Sequence, residues 1–220
     1  FFGDVNSQYD VWEGRRHISR MINPSGVASP HMAGKISDAR IVEGAAKFGL
    51  CQPGPLAPGE TPRSRVIANL RGFYRDTFGA DLSDISDSEV ADVIEYNLFP
   101  NAILFGGYGS PLVYRSRPDG HDPNRSIFEV WLLLPYAKNK PKPPSAATRV
   151  LADDEKFSDV PELSYYGPIL DQDADMMHRV QHGLRSSRKG RITLANYQEI
   201  RIRHMRRTLR GSLAPSGIAS

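Results

Sequence analysis

The spacing of apolar positions changes several times along the chain. From Leu170 to Leu184 and from Thr193 to Leu209 they recur every three or four residues, which predicts two helices separated by RSSRKGRI. Ala68 to Phe78 has the same spacing, and DLSDISDSEV sets Ser and Asp at the start of a short second helix. Elsewhere the repeat shortens to two. RRHISRMI, Arg15 to Ile22, alternates polar and apolar residues and reads as a strand leaving a turn in VNSQYDVWEG. DVIEYNLFPNAILFGG (Asp92 to Gly107) and IFEVWLLLPY (Ile127 to Tyr136) read as sheet, paired in a long hairpin, with a turn at RPDGHDPNRS. Pro100 stands inside the first of these and cannot donate to a ladder, so an edge, a bulge or a break is expected there.

Gly26 to Ser64 is the least regular third. Its CQPGPLAPGETPRS is crowded with turn formers, so the stretch reads as an insertion or lid with a short helix near Ala39 to Phe48. AKNKPKPPSAATR reads as a solvated connection stiffened by proline. Strands, an irregular insertion, short helices, a hairpin and two closing helices make an α+β domain.

Composition narrows the function. A chain of 220 residues suits one well-buried domain. A net charge of +3 is too small to imply a nucleic-acid partner. No apolar run has the length of a membrane span, and no signal segment opens the chain. The lone Cys51 excludes an internal disulfide framework, and equally a zinc site or iron–sulfur cluster held by several thiolates of this chain. It also suggests a reducing, cytoplasmic setting. The opening FFGDVNSQYDVWEG has no initiator Met, which leads us to expect a fragment or a processed product.

Candidate chemistry centres on GPILDQDADMMHRVQHGLRSS, Gly167 to Ser187. On a helical wheel Met176, Met177, Val180 and Leu184 cluster around the direction of Asp173, whereas Asp171, Asp175, His178, Arg179 and His182 fall on the far side. Asp173 is therefore expected in the middle of an apolar stripe, where an unpaired carboxylate is costly. Three partners would relieve that cost: the free N–H groups of a helix start, an arginine, or a metal ion. With the helix beginning near Leu170, Asp173 falls in its first turn, and capping is the ordinary explanation.

DQDADMMHRVQHGLRSS resembles the C-terminal pattern of Rieske non-heme iron oxygenase α subunits, the aromatic ring-hydroxylating family. Asp173 is followed at the family's spacing by Gln181, Gly183, Leu184 and Ser186. YNLFPNAILF resembles the family's Phe-Pro-Asn strand, RPDGHDPNRSIFEVWLLLP its following hairpin, and ANYQEIRIRHMRRTL its closing helix, so the match runs over about Asp92 to Leu209. The resemblance implies a helix-grip (START/Bet v1-like) fold, in which a curved antiparallel sheet wraps a long C-terminal helix. It implies a mononuclear Fe(II) held by two histidines and one aspartate, with Asp173 as that aspartate. It implies Phe105, Ile169 and Met177 as residues of a pocket for an aromatic or other apolar substrate. The intact enzyme would activate O2 with electrons from NAD(P)H, passed through a reductase or ferredoxin and a 2Fe-2S cluster. It would assemble as a trimer of α subunits, with or without a small β subunit, in a bacterial cytoplasm.

The departures from the pattern carry their own expectation. None of His17, His31, His121, His178, His182 and His204 forms the family's histidine pair at its spacing, and the Cys/His set of a Rieske domain is absent. FFGDVNSQYDVW looks like the segment that follows the second histidine. This reads as a catalytic-domain portion cut just after its histidine ligands and silent by itself. The alternative is a metal-free helix-grip module that binds an apolar small molecule. His178 and His182 are a metal pair by spacing but lie opposite Asp173 without a general-base Glu between them. Arg201, Arg203, Arg206, Arg207 and Arg210 make the last helix basic, without the aromatic platform of a nucleic-acid binder. A solvated face or an acidic neighbouring subunit explains it better.

Overall fold

The computed structural model describes residues 7–32, 34–137 and 139–214, so the opening FFGDVN of the resemblance lies outside the described residues. The chain divides into two compact units: residues up to Lys140 together with those from Leu194 onward, and Pro141–Thr193 between them.

The first unit is built on a six-stranded antiparallel sheet in which spatial order follows chain order: β1 (Gln8–Val11), β2 (Ile18–Asn23), β3 (Val93–Leu98), β4 (Ala102–Gly106), β5 (Leu112–Pro118) and β6 (Ser126–Leu132). The break expected at Pro100 is present as a tight turn through a cis Phe99–Pro100 bond, and β3 and β4 pair directly across it. The long hairpin expected between Asp92–Gly107 and Ile127–Tyr136 does not form. Leu112–Pro118 supplies a strand of its own, and β6 pairs with it, Tyr114 opposite Val130 and Arg115 opposite Glu129. The polar outer half of β5 hides its alternation: Arg115 and Arg117 both donate to Glu129, at 2.6 and 3.0 Å. The turn expected in VNSQYDVWEG also holds a strand, β1, paired to β2 from Gln8–Ile22 to Val11–Ser19.

Between β2 and β3 runs a helical layer. Its first helix, α1 (Asp38–Lys47), starts where Ser37 accepts from the Arg40 amide. The second, α2 (Pro62–Phe78), starts with a capping box in which Thr61 Oγ1 accepts from Ser64 N and Ser64 Oγ from Thr61 N, with Pro62 in the first turn. It ends at Gly79, whose left-handed φ of 64° suits glycine. The third, α3 (Asp87–Ala91), is capped by Ser86. Pro62, Val66, Leu70 and Tyr74 line one face of α2 at intervals of four and pack with Val42, Ala45, Cys51, Leu82, Val90 and Ala91. Gly26 to Ser64 is therefore less irregular than its turn formers suggest, since α1 and Cys51 are part of this core. Its proline-rich loop is clamped by Arg65, which donates to Gly54 O, Pro55 O and the Glu60 carboxylate.

The neck of the helical layer is held by one carboxylate. Asn23 and Val93 are the last pair of the β2–β3 ladder, and Asp92 precedes Val93. Its side chain, only 5% exposed, accepts two hydrogen bonds from Arg63 at 2.8 and 3.1 Å, one from Ser25 N at 2.9 Å and one from Ser88 Oγ at 2.7 Å. This pairing raises the affinity of the Arg63 guanidinium for its proton. Arg63 also donates to Ser25 O at 3.0 Å, and a Cβ on Gly26 would stand 2.6 Å from Arg63 Cα, so only glycine passes here.

Helix α5 (Ile200–Leu213) returns to lie against β1 and β2. Thr208, buried, donates to Arg16 O at 2.7 Å, and Tyr197 meets Tyr9 edge-to-face with centroids 5.3 Å apart. Arg201 reaches Glu95 of β3 and is mostly buried, so the basic helix is not a uniformly solvated face. Tyr9, Met21, Glu95 and Phe105 are successive cross-strand partners and share the face that α5 covers at its β1 end. Farther along that face, Phe105, Tyr114 and Phe128 make an aromatic row with centroids 5.0 and 5.3 Å apart.

Two outcomes are expected. Asp92→Ala, which strands Arg63 and two further donors, lowers unfolding free energy by about 3–5 kcal/mol in urea denaturation, while Arg75→Ala, whose exposed partner Asp76 is its chain neighbour, leaves it unchanged. Hydrogen bonds from Arg65 hold the Glu60 carboxyl at about 2, below its ordinary 4.5. A depressed carboxyl stabilises above its unfolded pKa, so the clamp is complete above about 4.5 and is lost as pH falls through about 2. The Glu60 side-chain carbonyl shift in a pH titration reads this midpoint, and Arg65→Gln returns it towards 4.5.

Candidate metal-ligand helix

The second unit is organised around α4 (Tyr166–Ser186), the longest helix among the described residues. Two 3-10 turns, Phe157–Asp159 and Pro161–Leu163, lead into it, the second ending at Ser164, the one non-glycine residue among those described with a positive φ. The first turn packs back on the helix. A Cβ on Gly167 would stand 2.7 Å from Ser158 Cα and 2.9 Å from Phe157 O, which makes this contact backbone to backbone. Tyr166, Gly167 and Leu170 are buried.

The aspartates sort differently from the wheel. Asp171, placed on the wet face, is half-buried and accepts from Phe157 N at 2.7 Å and Ser158 N at 3.3 Å, so it caps the 3-10 turn rather than its own helix. Asp175 is exposed and pairs with Arg179 one turn on, at 2.7 Å. Asp173 is exposed rather than buried, and so is the stripe around it: Met176 54%, Met177 49%, Val180 46% and Leu184 36%. The wheel geometry holds, since Ile169, Asp173 and Met177 follow at intervals of four along one face. The expected burial does not follow, because the 3-10 turns cover only the start of the helix.

The helix also begins earlier than its apolar pattern suggests. With the first residue at Tyr166, Asp173 lies in the third turn, beyond the free N–H groups and the dipole of the N-terminus. Capping is therefore removed as the reason for this aspartate. Of the other pocket candidates, Ile169 is half-buried on α4. Phe105 belongs to the first unit, in the aromatic row on β4. His178 and His182 are exposed on the opposite side of α4 from Asp173.

The catalytic-domain model of the ring-hydroxylating α subunits matches residues 51–214. The chain belongs to this family. The match spans the core helices α2 and α3, strands β3 to β6, α4 with all three of its aspartates, and α5. Neither the curated proteins nor the solved structures contain a match. The α+β architecture, a six-stranded antiparallel sheet with a C-terminal helix against it, agrees with the helix-grip fold of the ring-hydroxylating domain.

Ring-hydroxylating α subunits are oxygenases that work with non-heme iron. Among the described residues no group of three or more His, Cys, Asp or Glu side chains is placed to hold a metal ion. The described residues do not form a complete mononuclear centre by themselves. No helix among those described is long and apolar enough to cross a membrane.

Residue patterns gave no sign of the part played by Asp171, because its partners are backbone amides. Asp171→Ala is expected to speed hydrogen exchange at the Phe157 and Ser158 amides by about tenfold, the loss of roughly one charge-assisted bond. Gly167→Ala, which pushes the two backbones apart, is expected to cost the second unit about 1–3 kcal/mol in a thermal melt.

Proposed function

We propose that this chain is part of the catalytic domain of a Rieske-type oxygenase that hydroxylates an aromatic or other apolar substrate with O2. In this reading Asp173 is the carboxylate ligand of a mononuclear Fe(II), and the two histidines that complete the centre come from residues outside this stretch. The supporting observation is the placement of Asp173: about two turns into α4, in line with an exposed apolar ridge and inside the span of the family match. An acid in that position has no helix end to serve. A carboxylate there carries the charge a divalent iron needs, and the surrounding Ile169, Met177 and Val180 are apolar surface suited to excluding water and receiving a hydrophobic substrate.

Ile169 and Met177, one turn before and one turn after Asp173, are the substrate contacts we propose on this helix. Bound iron would supply the activation of O2, and the chain's own part is positioning and an apolar wall. A 2Fe-2S cluster in a further domain, NAD(P)H-derived electrons through a reductase or ferredoxin, and a trimer of α subunits with or without a β subunit complete the proposal. The metal-free binding module is not favoured by the family match.

Anaerobic Fe(II) titration of the longest natural polypeptide containing this chain tests the reading. Binding of one iron per chain is expected, abolished by Asp173→Ala and unchanged by His178→Ala or His182→Ala. The 220-residue chain alone is expected to retain no iron through gel filtration. Equal iron binding in the long polypeptide and its Asp173→Ala variant would sink the ligand assignment.

A further inference from the structure

Helix α5 meets β1 with a face unlike an ordinary docking surface. Ile200, Arg203, His204 and Arg207 recur at helical spacing and, with Val11 of β1 and Asn196, line a cavity of about 250 Å³. The cavity lies wholly within the first unit. Its lining holds two guanidiniums and an imidazole, with no carboxylate.

The polar groups here have more donors than acceptors. Arg203 Nη1 donates to Leu194 O at 3.3 Å and to Asn196 Oδ1 at 3.0 Å, which takes the amide oxygen of the lining and holds the guanidinium in place. Its remaining N–H groups stay available. Arg207 is in no hydrogen bond or ion pair among the described residues. His204 Nε2 is shielded from solvent and has no hydrogen-bond partner. A buried ring nitrogen in that state is disfavoured unless something completes it. Two arginines beside it ask for an acceptor that carries negative charge.

We propose that this cavity binds a small oxyanion, a carboxylate or phosphoryl group, held by Arg207, Arg203 and the Nε2–H of His204. Its volume is below that of pockets that enclose extended ligands, so the ligand is a compact acid. The site stands apart from the iron reading, since none of its residues is on α4 or in the aromatic row of the sheet.

Isothermal titration calorimetry of the 220-residue chain with inorganic phosphate, and separately with succinate, at constant ionic strength tests the site. Saturable binding of at least one of them is expected. Tighter phosphate assigns a phosphoryl ligand and tighter succinate a carboxylate. Arg207→Gln and His204→Leu are each expected to weaken binding by about tenfold or more. Arg206→Gln, one position off the lining, is expected to change it by less than about twofold. His204→Leu removes the unpartnered nitrogen and should melt no lower than the parent chain without ligand, so its loss of binding is not a loss of fold. Absence of saturable binding for both anions, or equal weakening by Arg206→Gln and Arg207→Gln, overturns the proposal.

Discussion

Asp92 occupies the point at which the chain passes from helices into sheet, and four donors converge on its carboxylate. Each donor comes from a different part of the fold or fixes a different angle: Arg63 from α2 twice over, Ser25 from the segment leaving β2, Ser88 from α3. A buried ion pair of this kind contributes little net stability compared with an apolar substitute, but breaking it is costly, so it acts on geometry. It brings the end of β2 to the start of β3 and orients α2 at the same place. The close approach of Gly26 to Arg63 depends on that orientation. The register from Asn23–Val93 to Ile18–Leu98 starts from this junction.

From there the first unit has two apolar environments with different purposes. The helical layer is a closed core, in which Val66 and Val90 are fully buried and Tyr74 donates to Tyr108 O at 2.9 Å, joining it to the loop after β4. The sheet face is less complete. At the β1 end it is covered by α5, while Phe105, Tyr114 and Phe128 stay half-buried. In the second unit the packed start of α4 gives way to an exposed apolar ridge. Surface of this kind, apolar and organised by regular structure, is where a binding function is usually found.

The helices were legible from their apolar spacing, but their starts only in part. Ser86 before α3 reads as a helix start, whereas Thr61 and Pro62, which begin α2, read as loop because they follow a proline-rich stretch, and α5 begins at Ile200 rather than Thr193. The strands were legible where apolar residues run together or alternate with polar ones, and β5 was missed because its outer half is exposed on both faces: Arg115 and Arg117 find their partner Glu129 on the next strand, where local pattern does not reach. The start of α4 was missed for a related reason. Tyr165, Tyr166 and Gly167 carry no capping residue, and the helix is secured instead by contact with the 3-10 turn. That error of a few residues is what offered capping as the ordinary explanation of Asp173, since it placed the aspartate in a first turn. The family was legible in the resemblance of the Asp92–Leu209 motifs to a known pattern, whereas the tasks of Asp171 and Arg201 depend on partners distant in sequence.

The sheet's order has a bearing on how the molecule assembles. Every ladder but one joins strands that are close neighbours along the chain, the kind of pairing that closes quickly. The exception is β2 with β3, whose meeting requires the entire helical layer to be looped out first, with the entropic cost of closing a long loop. Hairpins at either end can therefore form early and wait. The step that joins them bears that entropic cost, and the four bonds to Asp92 form at the mouth of the same loop.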